Sequence, residues 1–395
     1  MSHSISPMSD LIAANSAAPA PTDTAAQSLP VVTAVTWADP AREALFLAWL
    51  QAVAGKHGLV PSTVRLASAD ASFRRYLRVD GSQGGTRIIM DAPPDKENSE
   101  PFVKVQALLA QAGLNAPQIL DWDAAHGFML LSDLGTQTVI EKFNPADPSA
   151  AYAWYMQAVD ILVDWQKASQ EGVLPPYDEA VLRRELQLFP DWYIAKHRGV
   201  VLNDKQQAVL QGAFDAIVAQ NLSVPRVFVH RDFMMRNLMV PWGAAASAQP
   251  ASPLGVLDFQ DALHGPITYD IASLLRDAFI SWDEDFVIDI TIRYWEKARK
   301  AGLLGAQSAS GFGEDFGDFY RAVEWMGIQR HLKVAGIFAR LTLRDGKPRY
   351  LADAPRFIQY ICATAARYRE LKPLLRLVQE IEGIEEQSGW VIGRG

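Results

Sequence analysis

Cysteine is nearly missing from this chain: Cys362 is the sole cysteine in 395 residues, which excludes an intramolecular disulfide and points to a reducing compartment. That thiol is read as a small buried hydrophobe, not a nucleophile. No apolar run approaches the ~18 residues of a membrane-spanning helix. No Lys or Arg precedes Arg42, and Met1 to Val35 is rich in Ala, Ser, Pro and Thr. A secretion signal needs a basic start and an apolar centre, and a mitochondrial transit peptide needs arginines. Residues 1–36 are therefore expected to be a disordered tail on a cytoplasmic protein. The seven histidines show no metal-ligand spacing. A formal charge of −8 speaks against a general nucleic-acid binder, which normally carries a basic patch.

Apolar residues make up 49% of the chain, enough for a large core, and the length predicts two lobes. The informative stretch is Val229-His230-Arg231-Asp232-Phe233-Met234-Met235-Arg236-Asn237, followed by Val256-Leu257-Asp258-Phe259-Gln260-Asp261. An aspartate, an asparagine and a second aspartate stand, in that order, at the ends of short apolar segments, as kinase-type phosphoryl transfer requires. Asp232 fits the carboxylate that orients an attacking hydroxyl and accepts its proton. Asn237 and Asp258 fit the hard oxygen ligands that hold Mg²⁺ on a triphosphate. Residues 224–229 and 237–240 read as β-segments joined by a turn, with residues 254–259 as a third segment. His230 and Asp270 are read as structural. Asp270 either caps the apolar helix that follows or braces the catalytic loop from below.

Absences inside the motif argue against a protein kinase. Met234 stands where protein serine/threonine kinases usually carry a lysine, Gln260 replaces the glycine of D-F-G, and only Gln260 to Tyr269 separate Asp258 from Asp270, too few for an activation loop. The run from Asp258 through Gly265-Pro266 to Tyr269-Asp270-Ile271-Ala272-Ser273-Leu274-Leu275 resembles the aminoglycoside phosphotransferase and choline kinase superfamily. A narrower resemblance lies in Ser72-Phe73-Arg74-Arg75-Tyr76, Met90-Asp91-Ala92-Pro93-Pro94, Phe128 to Gly135, His230 to Met239 and Gln329 to Leu341. These segments look like the anomeric N-acetylmuramate/N-acetylglucosamine kinases of bacterial cell-wall recycling. The resemblance implies an ATP- and Mg²⁺-dependent kinase that makes a sugar 1-phosphate. It also implies an α+β, bilobal protein-kinase-like fold: a small antiparallel β N-lobe (37–134) and a mainly α-helical C-lobe (135–395).

Nucleotide contacts are expected in the N-lobe. Asp39-Pro40 opens a helix, and residues 63–68, 73–79 and 87–90 read as strands around the turn Ala69-Asp70-Ala71. Ala71, Ser72, Phe73 and Arg74 are placed at the phosphates, with Met90 on the third strand and Lys96 after it. The resembled kinases use the hinge, here Ser132, Asp133 and Leu134, to meet the adenine edge. The usual third-strand lysine and its helix glutamate are both missing, and Lys96, Lys104, Arg74 and Arg75 are the candidate replacement cations. The Ala/Ser/Pro/Gly-rich insertion Pro241 to Pro253 is expected to be a loop without chemistry.

The acceptor end is expected beyond Asp270, with Arg330, His331, Lys333 and Asp261 as substrate contacts. If residues 324–343 are helical, the face carrying Lys333 either grips a sugar carboxylate or is a solvated basic face. The predicted partners are ATP and a small amino sugar, with no nucleic acid or membrane, and the protein is expected to be a monomer. Two rivals stand beside this reading. An aminoglycoside kinase would want an acidic acceptor pocket, and a nucleotide-binding pseudokinase would have no use for Asp232, Asn237 and Asp258 together.

Overall fold

The computed structural model describes residues 35–69, 73–143, 147–242 and 253–384. Ala71 and Ser72, nearly all of the expected tail and most of the 241–253 insertion lie outside them. Helix α1 (Pro40–His57) starts where its signals stand: Asp39 is the N-cap and accepts from the Ala41 N–H at 2.9 Å, with Pro40 in the first turn. The chain then lays down β1 (Leu59–Ala69), β2 (Arg75–Gly81), β3 (Thr86–Asp91), helix α2 (Glu100–Gln111), β4 (Ile119–Asp123) and β5 (Phe128–Ser132). All pairings are antiparallel, in the order β1-β2-β3-β5-β4. At the start of α2 the Asn98 side chain, not Ser99, accepts the Glu100 N–H, at 3.0 Å.

Both faces of this sheet are covered. Leu77, Val79, Ile89, Phe128 and Leu130 pack with Phe46, Trp49 and Leu50 of α1. Met90, Met129 and Leu131 face the other way, toward Phe102, Val105 and Leu109 of α2. Double coverage explains why residues 128–131 form an unbroken apolar run instead of alternating with polar residues. The second core continues into Trp165, Phe228 and Phe259 of the helical lobe. The rings of Phe102 and Phe259 lie 4.8 Å apart, so the two lobes share an apolar seam directly below the second aspartate of the motif.

The helical lobe comprises α3 (Pro148–Lys167), α4 (Glu179–Leu186), a π-helical segment (Phe189–His197), α5 (Asp204–Leu222), β6 (Arg226–Val229), β7 (Leu238–Met239), β8 (Gly255–Val256) and β9 (Leu263–Pro266). Helices α6 (Thr268–Leu275), α7 (Glu284–Lys300), α8 (Phe316–Leu343), α9 (Ala354–Arg367) and α10 (Lys372–Glu382) follow. The expected three β-segments pair differently from a simple hairpin: β6 pairs with β9, and β7 with β8. Residues 230–237 are a loop closed by a short 3₁₀ turn at Met235–Asn237. A hairpin turn has no room for that many polar side chains on one side, and the loop provides it. Helix α8 runs through the middle of this lobe with most of its residues buried. Gly336 makes its crossing possible, because a Cβ there would come within 2.4 Å of the Leu188 backbone. The crossing sets Lys333 opposite α4.

Candidate active site

Strand β6 leads directly into His230, Arg231 and Asp232. Arg231 is left-handed (φ 78°), a conformation that costs a non-glycine residue roughly 1–2 kcal/mol. The surroundings hold it there. The Asp270 carboxylate, from the first turn of α6, accepts from the N–H of His230 at 2.7 Å and of Arg231 at 3.0 Å. Arg330 of α8 donates to the Arg231 carbonyl at 3.0 Å. Asp270 therefore braces the loop and does not cap a helix. Burial pushes its carboxyl up to about 7, against the pull of those two donors and of Arg330. Burial likewise pushes His230 down to about 4, so at neutral pH its ring is an uncharged core group beside Phe233.

The Arg231 guanidinium reaches inward to Glu185 of α4 at 2.7 Å. Lys333 of α8 donates to the same carboxylate at 2.9 Å and to the Tyr269 hydroxyl at 3.0 Å, and the Tyr177 hydroxyl also donates to Glu185. Burial alone would raise the Glu185 carboxyl, yet the charges of Lys333 and Arg231 bring it down to about 2. A buried carboxylate with two cations and a hydroxyl has its lone pairs met, which is the condition for such a cluster to persist.

On the opposite side of Asp232, the Asn237 amide donates to the Asp232 carbonyl at 2.9 Å and to the Asp258 carboxylate at 3.2 Å. The Leu257 N–H donates to the Asn237 carbonyl at 2.9 Å, joining the two segments next to β7 and β8. Asp258 is also left-handed (φ 63°), a conformation that aspartate tolerates better than most residues, and Gln260 donates to its other oxygen at 3.0 Å. Asp258 is exposed and Asn237 half-buried. Two oxygen-bearing side chains at an open edge suit Mg²⁺, which keeps several water and phosphate ligands of its own. No cluster of three or more His, Cys, Asp or Glu that could cage a metal occurs among the described residues.

The nucleotide-side expectations divide. At the hinge, Ser132 Oγ accepts from the Gln118 N–H at 2.8 Å. The Asp133 carboxylate takes a two-pronged pair from Arg78 at 2.6 and 3.1 Å, plus the Gly135 N–H at 3.0 Å. Leu134 packs against Gly255, where a Cβ would fall 2.7 Å from its Cδ1. Met90 is wholly buried in the core of the seam, so its side chain has no surface to offer a ligand. Phe73 is 64% exposed, with Lys96 over its ring at 5.6 Å. Among the candidate cations, Lys104 is tied to the Val173 carbonyl at 2.5 Å, and Arg75 is paired with Asp91 and stacked on Trp37. Arg74 is buried and paired with Glu97 at 3.3 Å.

The acceptor-side expectations divide as well. Asp261 is exposed, and its carbonyl accepts from Arg231 at 3.4 Å. Arg330 is 4% exposed and lies over the Tyr269 ring at 4.7 Å; together with Lys333 it forms the underside of the loop. His331 needs correction. It is 1% exposed and stacked on Tyr360 at 4.6 Å, next to Phe357, a core position out of a substrate's reach. The face carrying Lys333 is buried against α4 and is not a solvated basic surface. Sequence reasoning missed Glu185, Tyr177, Tyr269 and Arg78. One signal for Glu185 was available: in Glu179-Ala-Val-Leu-Arg-Arg-Glu-Leu186 it sits three residues after Leu182, on the apolar side of a short helix.

Comparison with known proteins gives a consistent picture. Residues 63–304 match the phosphotransferase enzyme family. The chain is similar to the N-acetylmuramate/N-acetylglucosamine kinase of Neisseria meningitidis serogroup B, with 48% identity covering 86% of this chain and 95% of that protein. A protein of the same name from Pseudomonas aeruginosa is 49% identical, over 87% of this chain and 95% of its own. Among solved structures, an ethanolamine kinase of Plasmodium vivax superposes with a TM-score of 0.56 at 11% identity, covering 82% of this chain and 88% of that one. Choline kinase of Streptococcus pneumoniae gives 0.53 at 11%, covering 81% and 99%. At such identities the likeness is one of fold, and the fold is the bilobal kinase-like one.

Proposed function

The chain belongs to the phosphotransferase enzyme family, and from that premise we propose that it is an ATP-dependent kinase acting on the anomeric hydroxyl of N-acetylmuramate and N-acetylglucosamine. The products are sugar 1-phosphates, and the setting is cell-wall recycling in the cytoplasm by a monomeric enzyme. One observation carries the reading: Asn237 bonds both the Asp232 carbonyl and the Asp258 carboxylate in a chain nearly half identical to relatives named N-acetylmuramate/N-acetylglucosamine kinase.

Asp232 orients the anomeric hydroxyl and accepts its proton as the phosphate is transferred. Asn237 and Asp258 would hold Mg²⁺, which when bound offsets the charge on the phosphate oxygens. The hinge backbone at residues 132–134 takes the adenine edge, and Phe73 covers the phosphates. In the role of the missing third-strand lysine we place Arg74, because it alone of the four candidates combines burial with an acidic partner before α2, Glu97. Asp261 stands exposed at the acceptor end, with buried Arg330 beneath the loop, and the charge of Lys333 is offset by its pair with Glu185.

The test is to incubate the purified protein with Mg-ATP and separate panels of amino sugars and aminoglycosides, following ADP release and locating the new phosphate by phosphorus NMR. A phosphate on the anomeric carbon of either N-acetyl sugar is the expected outcome. A 6-phosphate or a phosphorylated antibiotic overturns the acceptor assignment, and nucleotide binding without turnover of any acceptor overturns the enzymatic reading.

A further inference from the structure

Arg231 is held at its backbone N–H, its carbonyl and its guanidinium. Its N–H goes to Asp270, its carbonyl receives Arg330, and its guanidinium goes to Glu185. The next residue in the chain is Asp232. A left-handed arginine has no intrinsic reason to hold φ at 78°, so the contacts must select that conformation. Asp270 and Arg330 fix the peptide groups on either side. The guanidinium makes a short contact with Glu185 at 2.7 Å and a longer one with the Asp261 carbonyl at 3.4 Å, and the charged pair with Glu185 fixes the direction in which the residue points.

From this we infer that Glu185 is a positioning residue for phosphoryl transfer: through Arg231 it sets the backbone that aims the Asp232 carboxylate at the acceptor hydroxyl. The inference rests on Asp232 having the role proposed above. Glu185 is itself built into a rigid site. It is 5% exposed, belongs to a helix whose neighbouring turn is tied to α8 by Gln329 donating to the Leu182 carbonyl at 3.0 Å, and is shared between Arg231 and Lys333. Lys333 balances the cluster: with Glu185 and Arg231 alone, the carboxylate would lack the second charge that brings it down to about 2. The arrangement is assembled before any substrate arrives, as a group whose aim decides the rate must be.

The experiment compares the full-length wild type with Glu185→Gln, Glu185→Asp and Lys333→Met. It reads thermal melting, the KM of nucleotide and sugar, and kcat normalised to folded protein. With Gln, which keeps the volume but loses the charge, kcat is expected to fall about 10²-fold, the cost of a displacement of roughly 1 Å at the reacting groups. Both KM values should stay within about threefold. Asp keeps the charge and should recover about tenfold of that loss, and Lys333→Met, which leaves the Glu185–Arg231 pair intact, should lose several-fold less than Gln. If the Gln variant does not fold, the Asp variant answers alone: a kcat loss at constant KM supports positioning. Activity that merely follows the folded fraction overturns the inference and leaves a stability role. A raised sugar KM at full kcat overturns it too, and puts Glu185 against the substrate. Failure of the wild type to phosphorylate any sugar sinks the proposed function itself, so the two failures are distinguishable.

Discussion

The loop around Asp232 and the front of the β-sheet lobe flank the same cleft but are held in different ways. Around Asp232, left-handed Arg231 is locked by contacts reaching in from α4, α6 and α8, and left-handed Asp258 takes the side-chain amides of Asn237 and Gln260. At the front of the sheet, Phe73 stands largely in solvent, Lys96 rests over its ring, and Arg74 has Glu97 at 3.3 Å. The difference follows from what each region must do. A proton acceptor must be aimed before the reaction, because any reorganisation it undergoes adds to the barrier. Groups that bind a triphosphate can be organised by the ligand, whose charge supplies the free energy for ordering them. On the proposed roles, the residues assigned to rate are the more rigidly held, while of those assigned to the nucleotide Phe73 stands open and Arg74 is buried against Glu97.

The strongest attack on this comparison is Asp232→Asn. The amide keeps the shape and leaves the contacts of Arg231 and Asn237 with the main chain in place, so the fold should melt as wild type does. Loss of the proton acceptor is expected to lower kcat by about 10²–10⁴-fold with little change in nucleotide KM. Steady-state kinetics checks it, and near-normal turnover would remove Asp232 from the mechanism.

A smaller effect, of the other kind, is expected from Arg74→Met. The methionine keeps the packing of the long side chain and deletes the charge. If Arg74 faces the phosphates, nucleotide KM should rise about tenfold, roughly what a charge-assisted hydrogen bond contributes, while kcat at saturating nucleotide falls far less. A matched loss in kcat would place Arg74 among the rate-governing groups and break the division between the two regions. Unchanged KM would return the phosphate role to Lys96.

Legibility in the sequence follows the same division, for a physical reason. Asp232, Asn237 and Asp258 stand out as candidates because phosphoryl transfer dictates such residue types in that order along a short stretch. The Asp39 cap and the buried strand at residues 128–131 can be read because local backbone rules and double-sided burial leave local patterns. Glu185 could not be tied to the site in this way: its partners Arg231 and Lys333 lie 46 and 148 residues away, and no spacing rule spans such distances. Arg78 and Asp133, 55 residues apart, are hidden likewise. His331 was misplaced because a helix carrying Arg, His and Lys in near succession looks like a solvated face, whereas α8 is enclosed by the π-helical segment, α6 and α9 and carries its charges inside. The β6 pairing was missed because β9, its real partner, is the short segment Leu263–Pro266, whose proline and glycine read as a turn.

The smallest expected effect tests whether rigidity extends to the metal edge. Gln260 holds one oxygen of Asp258 at 3.0 Å, while Asn237 holds the other at 3.2 Å. The left-handed backbone at Asp258 is separately anchored by Phe259 in the seam against Phe102. Gln260→Ala should therefore cost no more than one partly exposed hydrogen bond, about 0.5 kcal/mol, the low end for such a contact. Because a bound divalent ion would orient the carboxylate by itself, the loss should appear as a two- to threefold rise in the Mg²⁺ concentration needed for half-maximal rate, with kcat at saturating Mg²⁺ retained. A kcat drop that Mg²⁺ does not restore would mean that Gln260 holds Asp258 as firmly as Glu185 holds Arg231, and the rigid region would then include the metal edge of the cleft.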